Sequence, residues 1–207
     1  MNRRNPLVSE PAPSLAEAPD ITDELMGEVD GFEGPPAPLA GPQTPPVGDR
    51  WPRTHVAEHR LLTVVGLHGG AGTSTVAGFF GEDAVDAGQG WPVASGWQRP
   101  LPVLSVVAVA RSHGAGLAAA DEFTRQWAAG ALDESRLLGL VIVDDGPKLL
   151  DAQSREVKRL LRAVPFGAHL PWNEQWRLQG PDADALPRRV KRICRRFRTL
   201  AETQREN

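Results

Sequence analysis

The sequence has little of what disulfide-linked, metal-cluster and membrane proteins need. Its single cysteine, Cys194, excludes an internal disulfide framework and a cysteine-based metal cluster. The longest apolar run, "LPVLSVVAVA" from Leu101, is about half the length that a membrane-spanning helix requires. No apolar segment follows the basic residues of "MNRRNPLVSE", so a secretory signal is not expected. We therefore expect a soluble protein of the reducing cytoplasm.

Charge and proline are unevenly distributed. The first 55 residues hold nine acids against four arginines, whereas residues 181–207 hold eight basic residues against four acids. Of the 19 prolines, 11 precede Arg53. Such a segment buries too little apolar surface to offset the entropy of ordering. We predict a disordered, Pro-rich acidic arm over residues 1–55, one folded domain over 56–207, and partners that bind the two ends.

One island within the arm, "DITDELMGEVDGF", combines apolar spacing with acidic surroundings. Ile21, Leu25, Val29 and Phe32 recur at near-helical intervals. Residues 20–33 are therefore either a helix that docks on a protein partner or simply part of an acidic linker.

After His59, short apolar runs alternate with helical stretches, which is typical of βαβ units. Strands are predicted at 61–67, 103–110, 137–144 and 168–172, with "WPVA" (91–94) as an edge strand. Helices are predicted at about 74–82, 114–130, 149–164 and 187–204. The expected fold is a compact α/β domain with a mainly parallel sheet and helices on both faces.

The stretch "GLHGGAGTST" would join the first strand to the first helix. A glycine-rich turn that opens a helix presents backbone N–H groups to an anion. General phosphate-binding loops end in G-K-[ST], where the lysine reaches the phosphates and the hydroxyl binds Mg²⁺. Here the corresponding residues are Gly72, Thr73 and Ser74, so the lysine charge is missing.

"HGGAGTST" resembles the deviant Walker A motif of the ParA/MinD family, K-G-G-x-G-K-[ST]-T, with His68 and Thr73 in place of its two lysines. "GLVIVDD" and "HLPWNEQWRLQG" are similar to later strands of that family, and the resemblance covers about residues 61–180. The chain is also similar to small P-loop-like proteins of actinobacterial mobile elements. The resemblance implies a fold of the P-loop NTPase type. It also implies ATP or ADP with Mg²⁺ as the cofactor and Ser74 as a metal ligand, and it allows for a dimer. The cofactor-binding residues that it implies are His68, Gly69, Gly70, Ala71, Gly72, Thr73, Ser74 and Thr75.

The chain departs from the family pattern between the first helix and residue 103. The family has a strand there that ends in a Mg²⁺-associated aspartate, whereas this chain shows only the broken stretch "DAGQGWPVASGWQRP". Asp144 and Asp145 follow the apolar run "LGLVIV", and Asp144 is our candidate for a substitute metal ligand at a strand end. The other interpretation, an ordinary turn, is the one we favour.

Other side chains near the predicted strand ends have two interpretations each. His68 would either contact a phosphate or cap the turn. Arg111 and His113 would either form a second contact to an anion or have a structural role only. Trp172 and Trp176 would cover the end of the sheet or stack on a base. No Ser/His/Asp spacing, acid pair or metal-ligand cluster supports hydrolase chemistry.

The C-terminal stretch "RRVKRICRRFR" is strongly basic. An amphipathic helix would place Val190, Ile193, Phe197 and Leu200 on one face, so docking on the sheet is the first expectation. Nucleic acid or an acidic partner is the second, and a membrane the least expected. The acidic arm of the same chain is itself a candidate ligand. The charged residues are Arg188, Arg189, Lys191, Arg192, Arg195, Arg196 and Arg198.

These features lead to one expected function and two alternatives. We expect a degenerate, non-catalytic ParA/MinD-like module that binds nucleotide, phosphate or a partner in plasmid or mobile-element DNA partition or transfer. The first alternative is an active ATPase in which Arg111, His68 or a second subunit supplies the missing charge. The second is a nucleic-acid-binding adaptor that uses the C-terminal helix.

Overall fold

The structure is a computed structural model that describes residues 31–38, 51–183 and 185–205. The predictions made for residues 1–30 and 39–50 lie outside the described residues, and this includes most of the 20–33 island.

Strands and helices alternate over most of the described chain. The strands are β1 (Phe32–Glu33), β2 (Arg53–Val56), β3 (Leu62–Gly66), β4 (Ala84–Gln89), β5 (Trp91–Ala94), β6 (Ser105–Arg111), β7 (Arg136–Val143) and β8 (Phe166–Leu170). The helices are α1 (Thr73–Gly78), α2 (Gly114–Ala128), α3 (Asp151–Leu161), α4 (Glu174–Gln179) and α5 (Arg188–Arg205), with a 3₁₀ turn at Gly81–Asp83.

Six strands form the main sheet in the order β1-β8-β7-β6-β3-β4. Every neighbouring pair is parallel except β1 and β8, which are antiparallel. The central strands are continuous apolar runs because both of their faces are covered, as in β7, where six consecutive residues are buried. The prediction of an α/β domain with a mainly parallel sheet is confirmed.

Successive strand residues point to opposite faces, and each face has its own apolar cluster. On one face, Val64 and Val107 belong to a cluster that includes Val76 of α1 and Phe197 of α5. On the other face, Val65 and Ala108 belong to a cluster with residues of α2 and α3. Helices therefore cover both faces of the sheet, as expected.

The segment between α1 and β6 differs most from the prediction. Instead of ending near residue 82, α1 stops at Gly78, and the positive φ of Gly81 (59°) turns the chain. The residues that follow form β4, a strand the sequence interpretation missed, parallel to β3 at the edge of the sheet. The "WPVA" strand, β5, pairs instead with β2 in a separate two-stranded parallel sheet.

Some residues before the predicted boundary at residue 55 pack on the folded domain. β2 begins at Arg53, and Trp51 packs edge-on against Phe123 of α2, with ring centroids 5.4 Å apart. β1 adds to the edge of the main sheet at β8. Phe32 and Trp51 therefore bury apolar surface on the cluster that α2 and α3 share, although both precede residue 55.

The C-terminal helix docks on the sheet. Val190, Ile193 and Phe197 are buried in α5, and Leu200 is partly buried against the same cluster. The first expectation for this basic stretch is confirmed. Among the residues that the structure describes, no helix combines the length and the apolar character needed to cross a bilayer.

Candidate functional site

The glycine-rich stretch forms a strand-to-helix turn between Gly66 of β3 and Thr73 of α1. Gly70 (φ 73°) and Gly72 (φ 94°) adopt the left-handed conformation that favours glycine. The side chain of Thr73 folds back onto the strand end, since a Cβ on Gly66 would lie 2.5 Å from its Oγ1. The first hydrogen bond of α1 runs from Val76 N to Gly72 O. The N–H groups of residues 73–75 lie before it and therefore have no acceptor within the helix.

A cleft of about 250 Å³ lies beside this turn, where the carboxyl ends of β6, β7 and β8 meet. This is the edge of a parallel sheet at which ligands bind. Trp176, from α4, closes one side and packs against Phe79 with ring centroids 5.1 Å apart. The lining of the cleft includes Gly70, Thr75, Arg111, Asp145, Asn173 and Trp176.

Arg111 places a positive charge between the cleft and the turn. Its side chain is 27% exposed, and its guanidinium lies 3.8 Å from an Asp145 carboxylate oxygen. One terminal nitrogen donates to the backbone oxygen of Asp144 at 3.1 Å. A Cβ on Gly72 would lie 3.9 Å from the guanidinium. Its buried Nε–H has no hydrogen-bond partner among the described residues, so the site leaves one charged donor unsatisfied.

Ser74 and Asp86 form a polar pair at the start of α1. The Ser74 hydroxyl donates to Asp86 Oδ2 at 2.5 Å, and the other carboxylate oxygen accepts from the Gly88 N–H at 2.9 Å. Both side chains are exposed. Sequence reasoning missed Asp86 because it missed β4.

Asp144, the candidate metal ligand from the sequence, is buried just after β7. Its carboxylate is 1% exposed and accepts from His169 Nε2 at 2.9 Å, while Ser74 is bonded to Asp86. Asp145 N–H donates to the Ser112 hydroxyl, as in an ordinary turn. We therefore leave Asp144 out of the proposed metal site.

The side chains of His68 and His113 form hydrogen bonds with backbone atoms of the two loops. His68 Nε2 accepts from the backbone N–H of Arg111 at 2.9 Å, which assigns the proton to Nδ1, the atom that donates to Gly69 O. His113 Nδ1 accepts from Gly116 N–H and caps α2. The two rings pack with centroids 4.9 Å apart. Both imidazoles thus hold the two loops together, as the capping interpretation of His68 expects, and a phosphate contact by His68 stays a prediction.

Among the described residues, no three histidine, cysteine or acidic side chains gather in a way that could enclose a metal ion. Mg²⁺ does not require such a cage, because it keeps several waters and often takes only one or two protein carboxylates. The Ser74 hydroxyl and the Asp86 carboxylate offer the hard oxygen atoms that Mg²⁺ prefers as ligands. The donor set therefore fits a hydrated Mg²⁺ ion.

The basic side chains of α5 differ in their surroundings. Arg196 pairs with Glu33 at 2.7 Å, and Arg198 pairs with Asp83 at 2.7 Å. Arg189 is half-buried, and Arg205 donates to the Arg60 backbone oxygen. Four more are exposed in the first half of the helix, and they are Arg188, Lys191, Arg192 and Arg195. The Glu33 contact shows that the end of the acidic arm reaches this helix, as one of the sequence interpretations expected.

Comparison with known proteins identifies a family for the chain. No curated protein and no solved structure matches it. The model of a protein family described as a family of unknown function, DUF6668, matches residues 60–194. The match spans the glycine-rich turn, the cleft and the first part of α5. The chain therefore belongs to the DUF6668 family.

Proposed function

We propose that the protein is a degenerate P-loop module of the ParA/MinD type that binds nucleotide phosphates without appreciable turnover. Its proposed setting is cytoplasmic, in plasmid or mobile-element DNA partition or transfer. The observation that carries this proposal is the position of Arg111, whose unsatisfied Nε–H and positive charge lie against the glycine-rich turn.

The turn and Arg111 supply complementary parts of an anion site. The backbone N–H groups of residues 73–75 precede the first helical bond, and Gly70 opens directly on the cleft. Arg111 adds a charged donor from the end of the neighbouring strand. Charge-assisted hydrogen bonds to phosphate are about twice as strong as neutral ones. A phosphate group in the cleft would contact the N–H groups of the turn and the exposed part of the Arg111 guanidinium at once.

The same geometry argues against efficient phosphoryl transfer. Thr73 carries no charge, and its side chain packs back toward Gly66. Arg111 is already engaged by the backbone of Asp144 and by the Asp145 carboxylate, which offsets part of its charge. Catalysis of this reaction depends almost entirely on charge positioned at the transferring phosphoryl group. Binding without turnover is the function that these contacts support best.

Ser74 and Asp86 would hold Mg²⁺ in this site. The ion would neutralise phosphate oxygens when bound. The exposed hydroxyl–carboxylate pair supports this assignment, since both groups point outward at the start of α1. Asp86 would then occupy the place of the Mg²⁺-associated aspartate that the sequence interpretation did not find.

Thermal unfolding and a turnover assay test the proposal together. With ATP·Mg²⁺ at ten times its dissociation constant, the expected gain in stability is about 1.4 kcal/mol, which raises Tm by several degrees. Phosphate release is expected to stay at background. Turnover that Ser74→Ala abolishes would favour the active ATPase instead, and a Tm unchanged at millimolar ATP would contradict nucleotide binding.

A second candidate function is nucleic-acid binding through α5, which the four exposed basic residues favour. Truncation at Pro187 cannot test it, because Phe197 is fully buried and its loss would disrupt the core. Arg188→Gln, Arg192→Gln and Arg195→Gln combined should instead weaken DNA binding in a gel shift and flatten its salt dependence. An unchanged gel shift would contradict this function.

A further inference from the structure

A groove of about 420 Å³ lies between the end of α1 and α5. Its floor is apolar, with Phe79, Leu186 and Cys194 all buried. Lys191 and Arg195, both exposed, line it from α5. An apolar floor beside basic side chains fits a peptide whose apolar residues alternate with acids.

Residues 31–34, "GFEG", form a short strap that holds the N-terminal arm against the domain. Phe32 and Glu33 pair antiparallel with Gly167 and Phe166 of β8. The Gly34 N–H donates to Pro165 O at 3.2 Å. A Cβ on Gly34 would lie only 2.3 Å from Val164 O, so this close approach requires glycine.

The strap fixes where the arm joins the domain. Because β1 is antiparallel to β8, the N-terminal end of the strap, at Gly31, is the end nearer the carboxyl end of β8. α5 starts near that end, after α4, and finishes at the opposite end of the sheet, where Arg205 donates to the Arg60 backbone oxygen just ahead of β3. The N-terminal end of the strap therefore faces the first half of α5.

Residues 20–30 have the length and composition to reach the groove. Ten extended residues span up to about 33 Å, whereas a helix with its side chains is about 10–12 Å wide. "DITDELMGEVD" holds five acids and no basic residue, with Ile21, Leu25 and Val29 as its spaced apolar side chains. The Glu33–Arg196 ion pair already joins the strap to α5.

We propose that this acidic segment, residues 20–30, crosses α5 and occupies the groove, with its apolar side chains on the floor and its carboxylates beside Lys191, Arg192 and Arg195. Single exposed ion pairs stabilise little, about 0–1 kcal/mol each. Tethering by the strap offsets this, since a short linker gives an effective concentration of about millimolar. The segment thereby covers the basic surface and competes with any other polyanion for it.

Zero-length cross-linking of the full chain tests this contact. A carbodiimide joins a lysine amine to a touching carboxylate as an amide, with the oxygen leaving in the urea by-product. The chain has three lysines, Lys148, Lys158 and Lys191. The expected product links Lys191 to residues 20–30 within one chain. Its yield should fall at least about fivefold between low salt and ~0.5 M salt, where exposed charges are screened.

Matched charge variants make the test specific. Arg188→Gln, Arg192→Gln and Arg195→Gln together should lower the yield at Lys191 by about threefold or more. The control triple Arg99→Gln, Arg136→Gln and Arg155→Gln changes the net charge equally at exposed positions elsewhere and should leave the yield unchanged. Lys191→Arg keeps the charge and should abolish the product.

Three outcomes would overturn the proposal. The first is the absence of the Lys191 product, or an equal yield at Lys148, which lies in the loop after β7. The second is a product found only between differently isotope-labelled chains, which would make a second copy the occupant. The third is protection of Lys191 from acetylation by added DNA with no cross-link to residues 20–30, which would make nucleic acid the occupant.

Discussion

The Ser74 hydroxyl donates a hydrogen bond of 2.5 Å to Asp86 Oδ2, which joins the first turn of α1 to the edge strand β4. The two residues stand twelve positions apart and meet only because β4 lies parallel to β3. An exposed hydroxyl and an exposed carboxylate that lie side by side can bind a hydrated divalent cation.

Asp86→Asn should remove the Mg²⁺ dependence of nucleotide binding. The amide is isosteric and can still accept from Ser74, but it has no charge to attract the cation. We expect Mg²⁺ to strengthen ADP binding by at least ~10-fold in the unaltered protein and by less than about twofold in the variant, in calorimetric titrations. Glu82→Gln, an exposed acid nearby, is the matched control. An unchanged Mg²⁺ effect in Asp86→Asn would remove Asp86 from the site.

Gly139→Ala should destabilise the sheet strongly. A Cβ there would lie 1.9 Å from Phe166 O and 3.0 Å from a ring carbon of Phe197, where neither backbone nor buried ring can move freely. Overpacking of this kind costs about 3 kcal/mol in the free energy of unfolding. Gly146→Ala is the control, since a Cβ there meets no described atom within 4 Å, and it should change stability by less than about 0.5 kcal/mol. Urea unfolding that ranks the two variants equally would contradict the packing described for β7.

Cys194 should make stability fall at alkaline pH. Burial raises the pKa of this thiol to about 11, although Arg198 opposes the shift. The thiol of the unfolded chain loses its proton at lower pH than the folded one. Its contribution to stability is therefore complete below about pH 8.5 and is lost as pH rises toward 11, about 3 kcal/mol in all. In urea unfolding under reducing conditions, Cys194→Ala should show a flatter decline over this range. Parallel declines in the two proteins, or rapid thiol labelling of the native protein at pH 8, would contradict this burial.

The sequence predicts the positions of the central strands well, for a physical reason. β3, β6, β7 and β8 are covered on both faces, so their apolar runs are continuous and stand out. β4 was missed because only Ala84 is buried in this edge strand. The end of α1 was placed too late because apolar spacing carries no information about the positive φ of Gly81.

The site could be predicted only in part. The turn follows from local glycine spacing, and the sequence places Ser74 in it. The partner of Ser74 comes from a strand that the pattern did not reveal, and the role of His68 is set by a backbone N–H 43 residues away. Non-local contacts of this kind depend on strand pairing, which a single sequence does not specify.

In the proposed function, phosphate binding depends most on Arg111, which supplies the positive charge that the glycine-rich turn otherwise lacks. Calorimetric titration of ADP and of pyrophosphate into the unaltered protein, Arg111→Lys and Arg111→Gln measures this directly. Arg125→Gln, which changes a 65% exposed arginine on α2, is the control. We predict that Arg111→Gln weakens both ligands by at least ~10-fold, about 1.4 kcal/mol, with a smaller loss for Arg111→Lys and none for the control. Equal affinities in all four proteins, or no binding to the unaltered protein, would contradict the central claim.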